Sequence, residues 1–423
     1  MTVVRTTVKS SVPTAPATGI RVGELLPIGA LLLLGFGGYV KGSKYLHWMP
    51  VDITLLGAVL VGLLVFVRTL TGHARRPHGW FLLIYTAGAF AVGWPASPWH
   101  PYTQTKVSQL CTLVPLCVLG GAILLDTPQA RRLWLWANVA LGLLIAGLVH
   151  VDPSLSAASV GRAAIDGGNT IGTARGVGAA FVVLVVVALM NRTYRVWASI
   201  VAVLVATVLV DAASRGPALG AVIAIIAGVA FSARAGRSAQ RTFAAVTAVV
   251  AAAYLLIKQS TTPRRLTDFN DTSTQARQVL WGRTARLITD HPLGVGWGKL
   301  WDAIPSNEAL SSGYTQYPHN LFLEAGSEAG WLALVMVVVL VITTVRLQRQ
   351  RATGWVEVAM FCLLLFHLVN AQVSGDITAN RGLWVAFGAA LAASAGDSKL
   401  RDGRVRRAYG HLRQGKRPIE IRA

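Results

Sequence analysis

Twelve apolar runs follow one another along this chain, near residues 22–40, 51–68, 79–95, 108–125, 133–150, 174–190, 194–212, 217–231, 242–257, 330–346, 355–372 and 381–396. A helix needs about 20 mostly apolar residues, within a range of roughly 17–25, to cross the hydrocarbon core of a bilayer. Each run predicts one crossing, with 217–231 and 381–396 short enough to tilt or to be partly re-entrant. The junction 212–217 is so brief that its helices must form a tight hairpin. The expected fold is an all-α polytopic membrane protein of about 12 transmembrane helices. Composition excludes other classes. With 53% hydrophobic and 13% charged residues, the chain falls well below the roughly one-quarter charged share of a soluble domain. A net charge of +21 would suggest nucleic acid if it were clustered on a soluble face. Here the basic residues sit between apolar runs, so no nucleic-acid partner is expected. Thirteen Trp and 12 Phe exclude a solvated disordered tail.

Lys and Arg concentrate in the cytoplasmic loops of membrane proteins. With both termini cytoplasmic, 25 of the 39 Lys and Arg fall inside, in 1–21, 68–78, 126–132, 191–195, 232–241, 346–354 and 397–423. Outside segments hold 7, once the long loop 258–329 and its own 7 are set aside. Acids show the reverse bias, with Asp52, Asp152, Asp166, Asp211 and Asp376 outside. The expected organisation is a cytoplasmic segment 1–21, transmembrane helices 1–9 over 22–257, and a large external loop 258–329. Transmembrane helices 10–12 over 330–396 and a basic cytoplasmic tail 397–423 complete it, the tail resting on anionic headgroups of the lipid bilayer. No cleavable signal peptide is visible, so the first helix is expected to act as an uncleaved anchor. Cys111, Cys117 and Cys362 lie in apolar runs and read as buried small hydrophobes. No repeat of fixed period and no inverted repeat is visible, which disfavours a secondary transporter. A 72-residue loop that carries Trp281, Trp297, Trp301, Tyr314 and Tyr317 reads as ordered and functional.

An ionisable residue near membrane depth needs a partner or a task. Arg215 lies in Asp211-Ala-Ala-Ser-Arg-Gly216-Pro217 at the outer hairpin. Pro217 suits the first turn of the next helix, and an Arg beside free helix N–H groups makes an anion site. A simple Arg215–Asp211 pair at i,i+4 is the alternative. The long loop ends in Tyr317-Pro-His319-Asn320-Leu-Phe-Leu-Glu324-Ala-Gly-Ser-Glu328-Ala-Gly330. Asn320, Glu324 and Glu328 recur on one helix face, and His319 opens that helix. A His there can titrate near neutrality, as a general base must, or it can be a hydrogen-bonding surface group. Glu324 and Glu328 can equally be solvated or capping acids. Upstream, Arg277, Trp281 and Arg283 precede Asp290-His291-Pro292-Leu293-Gly294-Val295-Gly296-Trp297-Gly298. Those glycines can let backbone approach a phosphate or can simply give a flexible loop. Arg162 and Arg175 add positive charge on the outer side. No metal-ligand spacing and no P-loop signature is present.

Three of these patterns together resemble the O-antigen ligase/polymerase superfamily, the WaaL-like and Wzy-like membrane glycosyltransferases. They are Ser214-Arg215-Gly216 opening a helix, Arg277…Trp281 leading into Asp290–Gly296, and His319-Asn320-x-x-Leu323-x-x-x-x-Glu328-x-Gly330. The specific motifs span about 170–345, and twelve spans with a large loop between the ninth and tenth match the family's layout. The chain departs from the pattern at Ala333, where a glycine is often seen, and near 169–180.

The resemblance implies a GT-C-like fold and glycan transfer on the external (periplasmic) face of the bacterial cytoplasmic (inner) membrane. The donor is an undecaprenyl-pyrophosphate-linked glycan. The acceptor is a sugar hydroxyl on a glycan or glycolipid, lipid A-core in a lipopolysaccharide ligase. No cofactor, nucleotide or metal is implied, because the lipid pyrophosphate is the leaving group. Arg215, with Arg277, Arg283 and Arg175, is expected to bind the pyrophosphate, where fixed cations meet developing charge. His319 is expected to deprotonate or orient the acceptor hydroxyl, with Glu328 or Glu324 orienting His319 or the sugar. Asn320, Trp281 and Tyr317 are the expected acceptor or glycan contacts. A single displacement inverts the anomeric carbon. A polymerase that joins lipid-linked repeats shares this architecture. A lipid-linked glycan transporter would use the same arginines for binding alone, and a scaffold would not need His319.

Overall fold

A computed structural model of the chain describes residues 22–41, 43–46, 48–74, 77, 80–151, 163–165, 169–231, 272–304 and 317–392. The expected ninth span, both terminal segments, Arg162 and Tyr314 lie outside the described residues. Among those described the protein is helical, with no β-strand. In chain order the helices are α1 (Leu25–Phe36), α2 (Ile53–Leu70), α3 (Trp80–Ala91), α4 (Pro101–Cys111), α5 (Leu113–Leu124), α6 (Pro128–Val151) and α7 (Thr170–Met190). There follow α8 (Arg195–Asp211), α9 (Arg215–Phe231), α10 (Thr272–Asp290), α11 (Leu300–Ala303), α12 (Leu321–Arg351), α13 (Trp355–Ala371) and α14 (Arg381–Leu391).

Among the described residues, five helical segments are long and apolar enough to cross a bilayer: Ile53–Leu70, Pro101–Leu124, Pro128–Val151, Thr170–Met190 and Leu321–Arg351. Five further apolar helices are shorter. Which faces are buried supports the same conclusion. On α2, Gly57, Ala58 and Val61 pack inward, while Leu55, Val59, Leu63, Phe66 and Leu70 are all more than half exposed. A continuous apolar stripe of that kind is stable only against lipid or a partner. The protein is a polytopic helical membrane protein.

At the centre lies α7, buried along nearly its whole length and packed on α6, α8, α9 and α13. Asn169 caps it, accepting a hydrogen bond from the Gly172 N–H at 2.6 Å. A second close-packed pair is α5 with α14. A Cβ at Gly388 would meet the Val118 carbonyl, so only glycine lets these backbones approach.

Antiparallel neighbours divide the polar residues between two ends of the bundle. At one end Arg131 Nη1 pairs with Glu357 at 2.9 Å, and Arg68 pairs with Asp126 at 3.5 Å. At the other end lie the starts of α4, α7 and α12 and the turn between α13 and α14, which carry the site described below. Two spans begin earlier than their apolar runs. The span read from 108 starts at Pro101 with His100 as its cap, and the span read from 330 starts at Leu321. One expectation about cysteine is corrected: Cys117 and Cys362 are buried, but Cys111 is exposed, because it closes α4 just before the break at Thr112.

Candidate functional site

The site grows from the break in α12. Asn320 is the N-cap, its Oδ1 accepting from the Phe322 and Leu323 N–H groups at 3.1 Å each. The helix then runs to Gly330, whose φ of 83° and ψ of −176° interrupt it. The segment after α10 fills that interruption. Val295 N–H donates to the Ser327 carbonyl at 2.8 Å, Gly296 N–H to the Glu328 carbonyl at 3.0 Å, and Trp331 N–H to the Pro292 carbonyl at 2.9 Å. Carbonyls orphaned by the break are thus satisfied from outside the helix. Gly294, Gly296 and Gly298 all have positive φ, so the glycine run serves helix packing. A Cβ on Gly330 would meet the Pro292 carbonyl. Gly330→Ala is therefore expected to destabilise the protein by about 1–3 kcal/mol from backbone strain alone. A fall in melting temperature in detergent, against an unchanged Gly282→Ala control on α10 with open space at its Cβ, is the check.

Just before the cap, His319 has a φ of 57°, a region that non-glycine residues occupy only when the surroundings hold them there. The constraint comes from both sides. Trp281 on α10 donates its indole N–H to the Pro318 carbonyl at 2.7 Å. Asn320 donates from Nδ2 to the Gln372 carbonyl at 3.3 Å. The Tyr317 ring meets the His319 ring edge-on, centroids 4.6 Å apart. Nδ1 of His319 is buried with no hydrogen-bond partner among the described residues. Burial, then Arg277 and then Arg175, pushes the imidazole down to about 4, with Asp376 acting in the opposite sense. The ring is therefore neutral at physiological pH.

Arg175 enters from α7. Its Nη2 donates to the carbonyls of Asn370 at 3.3 Å and Ser374 at 2.6 Å. Its Nε is buried without a partner among the described residues. The turn it grips, between α13 and α14, carries Asp376. That carboxylate accepts from Ala379 N–H at 2.6 Å and Thr378 Oγ1 at 2.9 Å, and Tyr102 Oη reaches it at 3.5 Å. The helix start bearing Arg215 is also close. A Cβ on Gly216 would meet Val373, and one on Gly220 would meet Asn370 Nδ2. Asp211 ends α8 and Arg215 opens α9, so the two lie on different helices rather than on one continuous helix face.

The structure thus brings Arg175, Arg277, Tyr317, His319 and Asn320 into one region. Trp281 is there too, but its indole N–H holds the chain rather than facing outward. Arg283 lies on α10, half-buried, six residues beyond Arg277. Glu324 and Glu328 differ most from expectation. Both are fully buried rather than solvated, and neither is hydrogen-bonded to His319. Glu324 Oε1 and Glu328 Oε2 each lie 2.6 Å from Lys106 Nζ. Glu324 Oε2 accepts from Ile377 N–H at 2.9 Å, and Glu328 Oε2 from Gly298 N–H at 3.0 Å. Lys106, Tyr102 and Asp376 were not singled out from the sequence. The apolar run read from 108 left Lys106 outside the span, so the rule that a charge at membrane depth needs a partner was not applied to it.

No match was found among curated proteins. Residues 200–338 match the family model described as O-antigen ligase, a stretch that holds Arg215, Arg277, Arg283, His319, Glu324 and Glu328. Such a family suggests a membrane enzyme that transfers glycosyl groups. The match covers about a third of the chain and, with the motifs, supports an O-antigen ligase/polymerase-like superfamily.

Proposed function

We propose that this protein moves a glycan from an undecaprenyl-pyrophosphate donor onto an acceptor sugar hydroxyl, at the external face of the bacterial cytoplasmic membrane. The observation that carries the reading is a pair of buried nitrogens with no hydrogen-bond partner among the described residues, Arg175 Nε and His319 Nδ1, within electrostatic reach of one another. A buried donor left unpaired is costly, and a guanidinium N–H is satisfied best by an anionic oxygen.

In this reading Arg175 and Arg215, helped by Arg277 and Arg283, hold the pyrophosphate where negative charge grows as it departs. Neutral His319 takes the proton of the acceptor hydroxyl. That oxygen bonds to the anomeric carbon while the carbon–oxygen bond to pyrophosphate breaks, and undecaprenyl pyrophosphate leaves with the electron pair. The displacement inverts the carbon. Asp376 favours the imidazolium that forms. Tyr317 and Asn320 border the acceptor's approach. The Lys and Arg bias supports twelve crossings with cytoplasmic termini, an arrangement that would turn this end of the bundle outward.

The test is turnover by reconstituted protein given lipid-linked oligosaccharide without nucleotide, with release of undecaprenyl pyrophosphate followed by mass spectrometry. Arg215→Ala is expected to lower release by about 10²–10³-fold, the scale for losing one charge-stabilising group. Unchanged release at equal membrane abundance would overturn the pyrophosphate clamp. One transferred glycan identifies a ligase and a ladder of repeats a polymerase. Donor that binds but never turns over identifies a transporter.

A further inference from the structure

The ion cluster beneath the site has no part in the chemistry above. Lys106, Glu324 and Glu328 are completely buried, and one ammonium faces two carboxylates at 2.6 Å. An unpaired charge in such a place would be too costly to keep, so the three residues are held by one another. Their remaining bonds reach outward to different parts of the chain. Glu324 takes the N–H of Ile377, next to Asp376. Glu328 takes that of Gly298, in the segment that fills the break of α12. Lys106 lies 5.5 Å from the ring centroids of both Tyr102 and Trp297. Tyr102 in turn reaches Asp376, and Trp297 donates its indole N–H to the Phe90 carbonyl at 2.8 Å.

The cluster therefore ties α4, the first half of α12 and the Asp376 turn together at one point. Glu324 lies four positions after Asn320, the cap that follows His319. We infer that Lys106 is a positioning residue: through Glu324 and Glu328 it fixes the start of α12, with His319, relative to the turn that bears Asp376. Its activity readout rests on the transfer reading above; its structural readout does not.

Lys106→Met/Glu324→Gln/Glu328→Gln removes all three charges together, keeps side-chain length and leaves no buried ion unpaired. In the reconstituted full chain this variant is expected to bind undecaprenyl pyrophosphate as wild type does and to keep its donor KM. Its kcat is expected to fall by about 10²-fold, the scale for a misplacement of about 1 Å at a reacting centre. Hydrogen exchange is expected to speed up at Ile377–Asn380 and Leu321–Leu323 while the Arg131 end of α6 is unchanged. Wild-type kcat with wild-type exchange overturns the inference. If the triple variant does not accumulate, Lys106→Arg gives the same decision: lowered kcat at constant KM supports positioning, and wild-type kcat overturns it. If the wild type itself never turns over, faster exchange in the variant still supports the positioning role while the transfer reading falls.

Discussion

Replacing His319 is expected to cut glycan transfer by about 10²–10⁴-fold, the range for losing a positioned general base, while donor binding persists. Two substitutions separate chemistry from backbone. His319 sits at a φ of 57°, where alanine is strained and asparagine is comparatively at ease. His319→Asn should therefore keep the turn between Trp281 and the Asn320 cap and still lack a base. His319→Ala loses both. Equal losses of kcat in the two variants, with donor affinity unchanged, assign the loss to the imidazole. A loss of donor affinity in His319→Asn would instead make the residue part of the binding surface. Wild-type turnover in either variant would sink the acid–base role.

The membrane class and most of the helices were legible in the sequence, because apolar runs and helix length carry that signal. The exceptions share a physical cause. Apolar periodicity starts a span where charges stop, and so it left Glu324 and Glu328 on a helix of the external segment, ahead of the span, and started the span of α5 after Lys106. Each charge is silenced by a partner far away in the chain: Lys106 and Glu328 are 222 residues apart. A window of 20 residues cannot see such compensation. The motif residues Arg277, His319 and Asn320 were legible because their neighbours are local or belong to recognisable patterns. Asp376 was not, since nothing in Ser374-Gly-Asp-Ile-Thr-Ala-Asn380 marks it apart from its place beneath Tyr102 and beside the grip of Arg175. The glycines from 294 to 298 were legible as a special backbone. What they approach is the broken helix of α12, a contact that spacing alone does not show.

Arg175→Met is expected to change both the size and the pH dependence of transfer. At pH above the titration of His319, the loss should be about 10²–10³-fold in kcat/KM if Arg175 holds the leaving pyrophosphate as proposed, because one charge-stabilising cation is gone. The acid side carries the sharper information. The imidazole lies at about 4 rather than 6.5 because of burial first, then Arg277, then Arg175. Below that value it is protonated and cannot accept the hydroxyl proton. Removing Arg175 takes away a repulsive charge and raises the imidazole's proton affinity. The acid limb of kcat/KM, which reports the free enzyme, should therefore move to higher pH, from about 4 toward 6.5. Arg277→Met should move it further, as the larger of the two charge effects. On the proposed function, donor binding would do what these substitutions do by deletion: pyrophosphate oxygens at the arginines would cancel their field at His319. In wild type the acid limb of kcat, which reports the donor complex, should then lie above that of kcat/KM. A base held neutral in the empty site would thus gain proton affinity when the anion arrives, which couples deprotonation of the acceptor to the presence of the leaving group. An acid limb that stays in place in both arginine variants would separate His319 from proton transfer and leave the arginines as anion ligands alone.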